Sequence, residues 1–257
     1  MYSSVFPKKI TLIGMIHLLP MPGYPNHSGM ESVIRKALQD LRTLEEAGFD
    51  GALVENDNDQ PHRIGVTEEV SEAFRLTMVE LLSQAKIPVG MEIIYDAEKT
   101  IKVAHEVGAP FIRLDVFVDT VETKWGIISA NAEELVKLKH SLKANDLLIF
   151  SDIQVKHAKM LQVKPLEKSA KDAIKYGSDA LIVTGDWTGQ PPTEKDCMDT
   201  KRVSKNTPVL IGSGFSAENA IKLLSLVDGA IVGTSIKTDG NVDLKKAKKL
   251  VSVVSSI

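Results

Sequence analysis

Ionisable and hydrogen-bonding residues recur in this sequence at the ends of short apolar runs. They are His17, then Glu55, Asn56 and Asp57, then Glu92, then Arg113 and Asp115, then Asp152, Gln154, Lys156 and His157, then Thr184, Gly185 and Asp186. A charge in or just after an apolar run is costly unless it faces a wet pocket shared with partners. Residues two apart in an extended segment point to one face, which groups Arg113 with Asp115 as a charge pair, and Asp152 with Gln154 and Lys156. Glu55, Glu92, Asp152 and Lys156 are the candidate catalytic groups. A carboxylate can serve as general acid or base, and a lysine can form a Schiff base with an open-chain carbonyl or act as a base once burial lowers its pKa. His17, Asn56, Arg113, Asp115, His157, Thr184 and Gly185 are candidate substrate contacts. For Arg113 and Asp115 alone, an ion pair that only ties the fold together is an equal reading.

Glycines suggest a second chemistry. The segment Ile211-Gly212-Ser213-Gly214-Phe215-Ser216 sets two glycines between an apolar run and a helix for which Ser216 is the expected N-cap, leaving backbone N–H groups to hold an anion. Gly233-Thr234-Ser235 stands in the corresponding place after the last apolar run. Phosphate binding is therefore expected at Gly212, Ser213, Gly214, Gly233, Thr234 and Ser235, with Lys237 as an added cation, although a turn alone can also require glycine. His17, Glu55, Glu92, Asp115, Asp152 and His157 could ligate Zn, Mn or Mg, but no H-E-x-x-H spacing fixes a site, so a divalent metal stays open and no cofactor is certain.

The elements that must position these residues are also visible. Eight runs rich in Val and Ile span 10–17, 50–56, 87–94, 111–117, 147–154, 179–184, 208–211 and 228–233. Nearly continuous apolar runs of this length suit strands of a parallel sheet covered on both faces. Amphipathic helices are expected between them: one after an S-x-x-E capping box at Ser28 and Glu31, one capped by Thr67, and others near 97–107, 131–143, 166–176, 193–204, 216–224 and 242–254. The segments AGFDGALVEN, YGSDALIVTG and LVDGAIVGTS repeat one pattern, each passing from a helix end through Asp into a strand. Eight such units in 257 residues favour one (β/α)₈ barrel over the whole chain, 1–257, with an open doubly wound sheet as the alternative. In a barrel of this kind the carboxyl ends of the strands build the active site, which is where the polar residues fall.

Composition narrows the partners. A formal net charge of -3 offers no cationic surplus for a phosphate backbone, so nucleic acid is not expected. The single cysteine, Cys197, excludes an internal disulfide and any Cys-based zinc cluster, which fits a reducing, cytoplasmic setting. No segment approaches the roughly 18 apolar residues of a membrane span, and a homo-oligomer is possible.

The segments IGMIHLLPMPGYP, DGALVEND, FSDIQVKHA, VTGDWTGQPP, PVLIGSGFSAENA and DGAIVGTSIKTDGNVD resemble the BtpA family, in family order and over almost the whole chain. That family includes a photosystem I biogenesis protein and the bacterial SgcQ proteins. The resemblance implies a barrel akin to the ribulose-phosphate-binding barrels. It implies no defined substrate: one branch is tied to photosystem I assembly or stability, the other to sugar metabolism, with a nucleosidase or sugar-phosphate activity. The family motifs fall here at His17, Glu55, Asn56, Asp152, Lys156, His157, Thr184 and Gly185, while Asp57-Asn58-Asp59 is a more acidic departure. Two functions are carried forward: an enzyme acting on a small phosphorylated sugar or nucleoside-type compound, and a non-catalytic assembly or stability factor.

Overall fold

The computed structural model describes residues 2–155, 158–185, 187 and 189–257. Eight parallel strands close into a barrel: β1 (Thr11–His17), β2 (Gly51–Glu55), β3 (Val89–Glu92), β4 (Phe111–Leu114), β5 (Leu148–Asp152), β6 (Ala180–Val183), β7 (Val209–Ile211) and β8 (Gly229–Val232). Each lies beside its neighbour in the chain, and β8 returns to pair with β1. The helices are α1 (Met30–Ala47), α2 (Glu68–Gln84), α3 (Ala97–Val107), α4 (Ala132–Ser141), α5 (Leu166–Lys175), α6 (Glu194–Ser204), α7 (Ala220–Leu224) and α8 (Leu244–Val254). Among the described residues no helix is long and apolar enough to cross a membrane.

Alternate residues of each strand face the barrel axis, and this period of two sorts the sequence into floor and mouth. Ile13, Met15, Leu53, Phe111, Leu148, Phe150, Ile182, Leu210 and Ile231 form the interior core. The next inward positions along the same strands are His17, Glu55, Arg113, Asp152, Thr184, Gly212 and Gly233. On β3 the inward pair is Gly90 and Glu92: a Cβ on Gly90 would stand 2.3 Å from the Phe111 ring, so glycine there makes room for the largest core side chain. Below this layer a one-turn helix, Tyr2–Val5, closes the floor, and Phe6 packs edge-on against Phe111 with centroids 5.4 Å apart. Nothing in the opening residues announced that plug.

The threefold repeat has one structural role. Asp50, Asp179 and Asp228 each accept a backbone N–H from the preceding barrel strand, from Leu12 at 2.8 Å, Ile149 at 2.9 Å and Val209 at 2.8 Å. Their own N–H groups donate to the carbonyls of the same three residues, so each Asp clamps the start of a strand.

Several helix starts differ from expectation. Thr67 caps α2 as expected, accepting from Val70 N. Ser28 does not cap α1, which begins after Gly29 in a left-handed conformation with no side-chain cap. Ser216 is not a cap either: α7 begins after Asn219, whose side chain accepts the Ser216 N–H. The segment around Trp125 contains two short strands, Val121–Thr123 and Gly126–Ile128, which join Lys159–Met160 in a small antiparallel sheet above the barrel.

Candidate active site

Register brings the acids to one level. His17 pairs with Glu55 across β1 and β2, and Glu55 with Glu92 across β2 and β3, so the three stand in a row around the mouth. Arg113 comes next, from β4. Its Nε and Nη2 donate to Asp152 at 2.9 and 3.0 Å, its Nη1 donates to Glu55 at 3.0 Å, and Glu92 lies 3.6 Å from Nε. In place of the expected pairing with Asp115, Arg113 forms ion pairs with acids of three other strands. Asp115, just past β4, instead donates its backbone N–H to Glu92 at 3.0 Å.

Among the described residues three carboxylates meet one guanidinium and a fourth, Asp115, stands beside Glu92, an excess of negative charge that burial magnifies. Burial, and then the charge of Glu55, push the Glu92 carboxyl well above its usual range. Burial and the charge of Asp152 raise Asp115 to about 7. Burial would raise Glu55 as well, but Arg113, Glu92 and His17 together outweigh it and hold Glu55 below its ordinary value. Glu55 and Glu92 are therefore neighbouring carboxyls driven in opposite directions, Glu55 toward its ionised form and Glu92 toward its protonated one. Burial and the charge of Lys237 keep His17 below its usual pKa, and its Nδ1 lies 3.4 Å from Asp57. Lys237 is itself lowered to about 8 by burial and by Lys36, and its Nζ has no hydrogen-bond partner among the described residues.

Above these groups opens a cavity of about 940 Å³. Its walls include His17, Glu55, Glu92, Arg113, Asp115, Thr184, Gly185, Gly212, Ser213, Gly214, Gly233, Thr234 and Ser235, so most of the residues singled out in the sequence share one space. Asp152 and Asn56 do not line it. Asp152 sits beneath, holding Arg113, and Asn56 is buried, donating to Asp59 and accepting from Ile94 N. Asp59 in turn accepts from Met21 N, so the acidic departure in this loop anchors the long first loop of the barrel. Gln154 does not share a face with Asp152: its φ of 51° turns the chain, and its amide donates to the Lys164 carbonyl and Ser169. Lys156, His157 and Asp186 lie outside the described residues.

The glycine loops meet a neighbour. Ser213 Oγ donates to the Gln190 carbonyl at 2.7 Å and accepts the Gly185 N–H at 2.6 Å. A Cβ on Gly185 would lie 2.1 Å from Gln190 O, and one on Gly214 the same distance from Pro191 N, so these glycines let the loop after β6 pass directly over the loop after β7. Ser235 Oγ donates to the Phe215 carbonyl and links the loops after β7 and β8. The N–H groups of Gly214, Phe215, Thr234 and Ser235 take no partner among the described residues, and the buried Thr184 Oγ1 has none either. These are the donors left for an anion. Among the described residues, no three His, Cys, Asp or Glu side chains form a group that could hold a metal ion.

Sequence reasoning did not single out His62 or Tyr95, which also line the cavity, and it placed Trp125 only in a loop. Tyr95 follows the third apolar run by one residue, a faint signal; His62 carries none.

The profile of the BtpA family matches residues 8–256. The chain is 38% identical to an uncharacterized protein of Pyrococcus furiosus, over 98% of this chain and 97% of that one. It is 36% identical to the photosystem I biogenesis protein BtpA of Synechocystis, over 90% of this chain and 82% of that one, and 30% identical to the sgc region protein SgcQ of Escherichia coli, over 89% and 87%. Among solved structures, N-(5'-phosphoribosyl)anthranilate isomerase from Pyrococcus furiosus shares the fold, with a TM-score of 0.59, 15% identity and coverage of 96% of this chain and 100% of that one.

Proposed function

The chain belongs to the BtpA family, and from that premise we propose that it is an enzyme that takes a small phosphorylated compound of sugar or nucleoside type into the barrel mouth and transforms it by acid–base chemistry. One observation carries the reading: Glu55, Glu92 and Asp152 are gathered around the guanidinium of Arg113 with Asp115 beside Glu92, and three of these four acids face the cavity. Neighbouring carboxyls whose pKa values are driven apart are the mark of an acid and a base in one site. Glu55, pushed toward its ionised form, is the group that can accept a proton or stabilise positive charge developing at a sugar carbon. Glu92, pushed toward its protonated form, is the acid that can donate to a leaving oxygen or nitrogen. Asp115, raised to about 7, can change state at neutral pH. Asp152 fixes the guanidinium between these groups.

The free N–H groups of Gly214, Phe215, Thr234 and Ser235 support the phosphate part, and the fold neighbour named for a phosphoribosyl compound fits it. Asp115→Asn and Glu92→Gln should each lower turnover of a substrate found by screening sugar phosphates and nucleotides by about 10²–10⁴-fold while leaving the melting curve cooperative. Full turnover in both variants would overturn the assignment.

A further inference from the structure

Across the mouth from the anion loops stands a wall of rings. His62 comes from the loop after β2, Tyr95 from the loop after β3 and Trp125 from the small sheet after β4, whereas the glycine loops follow β7 and β8 on the far side of the barrel. The His62 ring stands nearly perpendicular to both others, at 5.6 Å and 81° to Tyr95 and 6.2 Å and 88° to Trp125. Lys124 Nζ lies 4.5 Å over the Trp125 ring and orients the indole. Tyr95 has φ 61°, a left-handed conformation costly for a bulky residue, and its carbonyl is held by the Gly65 N–H at 3.2 Å. Strain kept at the edge of a cavity points to a use for the side chain it aims there.

We propose that His62, Tyr95 and Trp125 form a ring-binding subsite that sets specificity, so that the compound held by the anion loops carries a planar, nitrogen-bearing ring at its other end. This rests on the reading of the mouth as a phosphate-binding enzyme site. Three observations select that class of ligand. A cavity of about 940 Å³ is near the upper end of the roughly 300–1,000 Å³ typical of small-molecule pockets, so it has room beyond a phosphorylated sugar. Aromatic walls reward a planar partner through edge and face contacts. The acids beside the rings, Asp57, Glu92 and Asp115, favour a ring that donates hydrogen bonds.

The test is calorimetric titration of the full chain with adenosine 5'-monophosphate, uridine 5'-monophosphate, ribose 5-phosphate and adenosine, repeated on His62→Ala and Trp125→Leu. We expect at least one monophosphate to bind about tenfold or more tightly than ribose 5-phosphate, with that preference collapsing in both variants while ribose 5-phosphate affinity and the melting temperature hold. Equal binding of the monophosphates and ribose 5-phosphate to the unaltered chain would overturn the ring subsite and leave the phosphate reading standing. Binding of adenosine without ribose 5-phosphate would support the subsite and overturn the phosphate reading. Silence from all four would overturn both.

Discussion

Arg113→Met removes the guanidinium from the acid cluster and keeps a shorter, unbranched apolar stem. It strands Asp152, which now receives two N–H bonds at 2.9 and 3.0 Å, and Glu55, which receives one at 3.0 Å. Removing one partner of a buried ion pair costs about 3–5 kcal/mol, and the presence of several stranded acids places this case near 5 at alkaline pH. At about 2–4 °C per kcal/mol for a chain of this size, the melting temperature should fall by about 10–20 °C at pH 8. The deficit should depend on pH with a definite sign. Glu55 is held below its ordinary 4.5, so its stabilisation is present above that value and is lost as pH falls through its lower folded pKa. Arg113 supplies much of that effect; without it burial drives Glu55 upward, and the variant must either bind a proton or bury a bare anion. The gap between the two proteins should therefore narrow from pH 8 to pH 5. Thermal melts followed by circular dichroism at pH 5, 6, 7 and 8 measure it. A loss of less than about 3 °C at pH 8, or one equal at pH 5 and pH 8, would refute the claim that the cluster is overcharged.

Three further outcomes follow from the same geometry. Asp115 is raised from 3.8 to about 7, so the stability it contributes is full below 3.8 and is lost as pH rises through about 7; Asp115→Asn should flatten that loss and melt at or above the unaltered protein at pH 8, as a melting series will show. Phe6→Ala should lower unfolding free energy by about 3–5 kcal/mol in urea titrations, because the ring is buried against Phe111 and Phe150 in the barrel floor. Gly214→Ala must hold φ 63° at a cost of about 1–2 kcal/mol and displace the Gln190–Pro191 backbone, so titration with inorganic phosphate should show affinity lost at least tenfold and the melting temperature should fall by at least about 2–8 °C.

The barrel was legible because its strands are buried on both faces and so appear as unbroken Val and Ile runs, and because the Asp50, Asp179 and Asp228 clamps repeat in sequence. Which side chains face the barrel axis was legible too: counting by twos from Met15, Leu53 and Phe150 reaches His17, Glu55 and Asp152. Partner choice was not. Residues two apart on one strand are separated by about 6.6 Å, whereas neighbouring strands lie about 4.8 Å apart, so Arg113 meets Glu92 and Asp152 on the strands beside it before it meets Asp115, and its long side chain also reaches Glu55 two strands away. That depends on strand register, which no local pattern encodes. The turn at Gln154 was hidden for a related reason. Its positive φ is stabilised by Asp119, distant in sequence, which accepts its N–H, and by Ser169, which accepts from its side chain.

The balance of charges argues about purpose. A network retained for stability would match its charges, since an unpaired buried carboxylate costs more than a well-packed apolar side chain of the same volume. Here Arg113 donates two bonds to Asp152 and one to Glu55, and among the described residues Glu92 and Asp115 take no hydrogen bond from a cationic side chain. Both acids are pushed upward in pKa, both line the cavity, and the Asp115 backbone N–H donates to the Glu92 carboxyl. The fold thus gives up stability at neutral pH at the very groups best placed to move protons. If that is their use, the substitutions that stabilise the barrel at pH 8 and those that abolish turnover should be the same ones, at Glu92 and Asp115, whereas Phe6 and Asp50 should affect stability alone.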